Sequence, residues 1–199
     1  MKRVTTSPLR VSTARQGAAR FRFFRQLIVV LIALLSLSGQ ARPGTNELYQ
    51  KRTHSVATVV IGIISYTRWP VEPNPIRLCI TANPQYAERL FDPVLLTAPR
   101  PIKTVLMPLN SQFLPGQCDV IYLGKISASQ QQALLHRISG HAILSISEND
   151  SECSVGNAFC LQIDGDYASF KVNLDALARS GVHVHPNVLQ LAKGPELPL

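Results

Sequence analysis

The sequence predicts an α/β fold: a single three-layer domain with a mostly parallel sheet, an antiparallel hairpin near its C-terminal end, and two disulfides. Three observations carry this reading. Helical and strand periods alternate along the chain, as in a sheet covered by helices. Two short apolar runs, Asp119 to Leu123 and Ala142 to Ile146, are nearly continuous, as strands buried on both faces tend to be. Asp164-Gly165-Asp166 between two apolar stretches marks a turn joining antiparallel strands.

The elements follow in order. Thr45 is a candidate N-cap for a first helix, in which Leu48 and Tyr49 precede Val56, Val59, Val60, Ile63 and Ile64 at helical spacing. This helix should stop before Pro70. Ile76 to Thr81 reads as a strand, Pro84 to Phe91 as a short helix and Ile102 to Met107 as a second strand. After the strand ending at Leu123 and Gly124, Ser127 with Gln130 three residues on forms a capping-box pattern. Leu134, Leu135 and Ile138 would form the buried face of that helix, and Gly140 would end it. Phe159 to Ile163 and Ala168 to Val172 flank the hairpin turn. Asn173 caps a helix closed by Gly181, and Pro186 starts a last one carrying Val188, Leu189 and Ala192.

Upstream of the domain, Leu27 to Leu37 is an apolar run behind a basic leader. Seven of the twenty Lys and Arg residues precede Ala41, and no acidic residue occurs before Glu47. The run is shorter than the roughly 20 apolar residues that span a bilayer. It ends at Gly39-Gln40-Ala41, whose small residues suit signal-peptide cleavage. Residues 1–41 are therefore expected to be a signal peptide and residues 42–199 one domain, with the mature chain starting near Arg42 and lying in the periplasm. An uncleaved anchor and a start codon further in are the alternatives. The net charge of +8 then belongs mostly to the leader, because thirteen basic residues face twelve acidic ones in the rest. Such a balance argues against nucleic acid or an anionic membrane surface as partner.

Four cysteines, Cys79, Cys118, Cys153 and Cys160, follow the leader. An even count in an exported chain reads as two disulfides, and three connectivities can be drawn. The short Cys153–Cys160 loop favours pairing these two, which leaves Cys79 with Cys118. The longer loop should then matter more for stability, while the shorter one shapes a local turn. The spacing gives neither a CxxC redox motif nor paired zinc ligands.

Candidate chemistry is sparse. His183 and His185 flank Val184 and would supply two metal ligands from a strand, but no third ligand stands nearby. Surface or structural histidines are the plainer reading, and no metal or cofactor is expected. Asp164 and Asp166 around Gly165 read as turn chemistry rather than a cation site. No nucleophile elbow, HExxH helix, phosphate-binding loop or dinucleotide-binding glycine motif occurs. A binding or regulatory module is therefore expected, not an enzyme. Ser65-Tyr66-Thr67-Arg68-Trp69-Pro70 holds the single tryptophan beside a tyrosine and an arginine, the residue types enriched in interface hot spots. Trp69 could equally plug the bottom of the sheet while Arg68 is solvated.

Several stretches resemble the YfiR family of periplasmic regulators. They are Ile64 to Pro70, the strand with Cys79, Cys118-Asp119-Val120-Ile121-Tyr122-Leu123-Gly124, the Cys153 and Cys160 pair, and Phe170 to Val182 continuing through Pro186 to Leu191. All four cysteines match, and the resemblance implies the same pairing. It implies a protein without catalytic activity that binds the periplasmic sensor domain of an inner-membrane diguanylate cyclase and holds it inactive. An outer-membrane lipoprotein would relieve the block by sequestration. Carried over by position, Arg68, His183 and His185 are candidates for the partner surface. Phe159, inside the short disulfide loop, is a further candidate if exposed. A homodimer is left open. The competing expectation is a periplasmic small-molecule-binding receptor lobe, since ligands favour crevices at the carboxyl ends of parallel strands.

Overall fold

A computed structural model describes residues 43–148, 153 and 156–192. The leader, its apolar run and the cleavage position at Ala41 lie outside these residues.

Helix α1 (Pro43–Tyr66) opens the domain and passes into the two-residue strand β1 (Thr67–Arg68). Strands β2 (Ile76–Thr81), β3 (Ile102–Leu106), β4 (Val120–Leu123), β5 (Leu144–Ser147), β6 (Phe159–Asp164) and β7 (Tyr167–Val172) form a six-stranded sheet in the order β3-β2-β4-β5-β6-β7. The first five are parallel and β7 runs antiparallel to β6. Helices α2 (Leu114–Gln117), α3 (Ala128–Ile138) and α4 (Leu174–Arg179), with 3-10 turns at Glu88–Phe91, Pro93–Leu96 and Pro186–Ala192, complete the chain. Strand β8 (His183–Val184) pairs with β1 in a separate small sheet.

Alternation along the strands divides the interior between two faces. On β4, Val120 and Tyr122 join a large core with Val56, Val60, Ile63 and Ile64 of α1. Ile121 and Leu123 join a smaller core with Leu134 and Ile138 of α3. The α/β class, parallel sheet and hairpin thus stand as expected. Ser127 and Gln130 cap α3 reciprocally, and the Asn173 side chain accepts from the Ala176 amide at the start of α4.

Both disulfides form in the expected pairs, Cys79–Cys118 with a Cα–Cα distance of 5.7 Å and Cys153–Cys160 with 5.5 Å. Cys79 and Cys118 lie within the smaller core. Three local expectations are corrected. Thr45 lies inside α1 and does not cap it. The segment Pro84 to Phe91 is helical only from Glu88. Ahead of that turn, Ala82 and Asn83 take positive φ, and the Gln85 and Tyr86 amides donate to the Glu148 carboxylate, the latter at 2.8 Å. Phe159 is fully buried, because β6 begins there. Its ring meets Phe170 edge-on at 5.4 Å, so it is not an exposed loop residue.

Glu148 also accepts from the Tyr122 hydroxyl at 2.9 Å. Burial first, then the neighbouring Glu148, pushes this hydroxyl well above its ordinary value of 10.0. The unfolded chain would ionise near that value, so at higher pH unfolding releases a proton and stability falls as pH rises.

Two measurements follow from this interior. Replacing Cys79 and Cys118 together by alanine is expected to cost about 4 kcal/mol, against about 2.5 kcal/mol for Cys153 and Cys160, from loop-closure entropy. Urea midpoints of the two double variants would reveal the order, and equal midpoints would contradict it. Above about pH 10, the urea midpoint of the wild type should fall more steeply than that of Tyr122→Phe, which cannot ionise. Parallel slopes would remove Tyr122 from the alkaline transition.

Candidate functional site

The last turn of any α-helix leaves four carbonyls without intrahelical partners. In α1 all four are met, and two of the partners, Arg68 and His185, also line a surface groove. Thr67 Oγ1 donates to the Ile63 carbonyl at 2.8 Å. Arg100 Nη1 donates to those of Ile64 (2.9 Å) and Ser65 (3.2 Å). Arg68 Nη1 donates to the Ser65 carbonyl at 2.8 Å. The His185 amide donates to the Tyr66 carbonyl at 3.0 Å. Two arginines at a helix C-terminus also oppose the negative end of its dipole.

Strands β1 and β8 carry this arrangement across the domain. Their antiparallel register sets Arg68 opposite His183 and Thr67 opposite Val184. Directly opposed residues share a face, so Arg68 and His183 stand together. The chain then turns at His185, whose Nδ1 accepts from the Asn187 amide at 3.2 Å. The His185 ring stacks on Tyr66 with centroids 6.3 Å apart. Ser65, Tyr66, Arg68, His183, Val184, His185 and Asn187 line a groove of about 460 Å³.

Three expected residues therefore meet in one place, Arg68, His183 and His185, and all three are exposed. Phe159 lies apart in the large core and is unavailable to a partner. Tyr66, noted in the sequence beside Arg68 and Trp69, and Asn187, which was not, complete the groove. Tyr66 carried a signal in its residue type, whereas Asn187 is recruited only by the β1–β8 pairing.

Trp69, next to Arg68, points the other way. It is buried, and its Nε1 donates to the Asp119 carbonyl at 3.3 Å. Arg100 lies over its ring, 5.8 Å from the centroid, and forms an ion pair with Glu72 at 2.9 Å. Trp69 is thus the plug and Arg68 the surface group.

Among the described residues, no carboxylate lines the groove. A guanidinium beside a stacked tyrosine and histidine suits an acidic or aromatic protein side chain. Ser65 Oγ donates to the Gly62 carbonyl at 2.7 Å, an engagement unlike that of a nucleophile held by a base. No cluster of potential metal-ligating side chains occurs among the described residues, and none of their helices is long and apolar enough to cross a membrane.

The fold and site define a disulfide-stabilised α/β domain with an exposed groove lined by Arg68, His183 and His185. A family model described as YfiR/HmsC-like matches residues 53–193. The chain belongs to that family. Membership fits regulation of diguanylate cyclase signalling outside the cytoplasm rather than catalysis. The two disulfides suit an oxidising compartment.

The division of labour between neighbours is measurable. Trp69→Ala should cost about 3–5 kcal/mol, as for other buried aromatic truncations. Arg68→Ala should cost about 1 kcal/mol or less, since Arg100 still serves the Ser65 carbonyl. Comparable losses in urea titrations would mean that Arg68 is as structural as Trp69.

Proposed function

We propose that this protein is a periplasmic repressor of an inner-membrane diguanylate cyclase. It is exported by residues 1–41 and acts as residues 42–199. The observation that carries the proposal is the convergence of Arg68, His183 and His185 in one exposed groove, within a chain of the YfiR/HmsC-like family.

The repressor docks on the periplasmic sensor domain of the cyclase. Docking changes activity only as far as the repressor prefers the inactive arrangement over the active one, because a ligand shifts an equilibrium by its differential affinity. The Arg68 fork would take a carboxylate of the partner, and the Tyr66–His185 pair would offer a flat surface for an aromatic or aliphatic group. An outer-membrane lipoprotein relieves the block by lowering the concentration of free repressor. Competition for an overlapping part of this groove would make the two complexes mutually exclusive.

Deleting the gene should raise cellular cyclic-di-GMP, and only an exported version should restore it. With purified components, Arg68→Ala and His185→Ala should each weaken binding to the cyclase sensor domain about tenfold or more, while retaining near-wild-type urea midpoints. Folded variants that bind like the wild type would place the docking surface elsewhere. An unchanged cyclic-di-GMP level, with both proteins demonstrably present, would refute repression.

A further inference from the structure

A second concavity lies at the carboxyl ends of the strands. The sheet order β3-β2-β4 means that the chain leaves β2 towards one neighbour and later returns on its other side. Open α/β sheets bind ligands at such a reversal, outside the strand ends. Here the reversal opens into a crevice of about 680 Å³, within the size range of small-molecule sites.

The floor of the crevice carries a polar group without a partner. Thr81, the last residue of β2, is 2% exposed, and its Oγ1 is buried with no hydrogen-bond partner among the described residues. A buried hydroxyl left unsatisfied costs about 1–3 kcal/mol. Thr81 shares the strand face of Cys79, the face covered by α3. Thr81 lines the crevice together with Gln130 of the first turn of α3.

The surroundings favour negative charge at one end and apolar matter at the other. Lys125 lines the crevice, is exposed and makes no ion pair among the described residues. The N-terminus of α3 adds the positive end of a helix dipole. Leu106, Met107, Leu109 and Ile126 supply apolar walls. Gly124 permits the close approach behind them, since a Cβ there would lie 2.1 Å from the Ala82 carbonyl oxygen.

We infer that this crevice binds a small organic carboxylate with an apolar body. The Thr81 hydroxyl and the Lys125 ammonium hold its carboxylate, and the Leu106–Met107 side holds its body. One ammonium balances one negative charge, and the apolar walls favour a carboxylic acid over inorganic phosphate. The site is separate from the Arg68 groove and does not depend on the repressor reading. If both hold, the crevice offers a metabolite input to the repressor.

The test uses the purified exported protein, with isovalerate, phenylacetate and inorganic phosphate as probes. Binding is followed by thermal shift and by amide chemical shifts. At least one carboxylate should stabilise the protein saturably and move the amides near Thr81, Lys125 and Gln130, while phosphate does neither. Thr81→Val and Lys125→Gln should each weaken that binding about tenfold or more, Thr81→Ser should retain it, and Arg68→Ala should leave it unchanged. The urea midpoint of Thr81→Val establishes that it is folded. The inference is overturned if no carboxylate binds, if phosphate binds in its place, or if folded Thr81→Val and Lys125→Gln bind like the wild type. None of these outcomes bears on cyclase repression.

Discussion

Asp119 is the residue on which the lower end of the sheet depends. Its Oδ2 accepts from the Arg77 amide at 2.7 Å and from Arg77 Nε at 2.9 Å, and its Oδ1 accepts from Arg77 Nη2 at 2.7 Å. Its own amide donates to the Arg77 carbonyl, and its carbonyl accepts from the Leu144 amide and from Trp69 Nε1. One residue thereby ties β2, β4, β5 and the segment after β1. Arg77 extends the knot to α2 through the Gly116 carbonyl at 2.6 Å. The carboxylate is largely buried, yet its charge is met by a bidentate guanidinium and a backbone amide, the condition under which a buried ion is tolerated. Cys118, immediately before it, fixes the same corner covalently to Cys79.

Glu148 answers Asp119 at the opposite end of the strands. There a single carboxylate gathers the Tyr122 hydroxyl and two amides of the loop after β2. Arg52 of α1 joins from the side, donating to the Tyr86 hydroxyl at 3.0 Å and to the Gly165 carbonyl at 2.7 Å. The Arg68 groove belongs to the end governed by Asp119, through Trp69. The Thr81 crevice belongs to the carboxyl end, where Glu148 holds the adjoining loop. A rigid six-stranded sheet separates them, each with its own anchoring carboxylate.

Much of this architecture is legible in the residues because local and tertiary preferences agree. Ile76 to Thr81 reads as a strand from its composition, and it is one. The Ser127–Gln130 box and the Asn173 cap satisfy helix amides locally, so their positions are set by sequence. The failures occur where distant groups decide. Glu148, more than sixty residues away in sequence, holds the Gln85 and Tyr86 amides of the loop ahead of the turn that begins at Glu88. Phe159 looks like a loop residue beside Cys160, but its ring has a partner in Phe170 across the hairpin. Strands β1 and β8 are two residues each, too short to show any period. Consequently Arg68, His183 and His185 could be named from the chain, whereas their assembly around Tyr66 and Asn187 required the fold.

The brevity of that small sheet also sets the groove apart from the bulk of the fold. The β1–β8 pairing joins the end of α1 to a segment near the far end of the domain. Beyond it, Val188 is buried in the large core, Leu191 and Ala192 pack against that core, and the His185 amide bonds the Tyr66 carbonyl. Short, peripheral elements occupy the low end of the spectrum of local opening energies. Detachment of residues 183–192 would erase one wall of the groove while the six-stranded sheet and both disulfides stayed intact. Such an opening would unfasten a clasp rather than unfold the domain, and it would leave the six-stranded sheet without the groove.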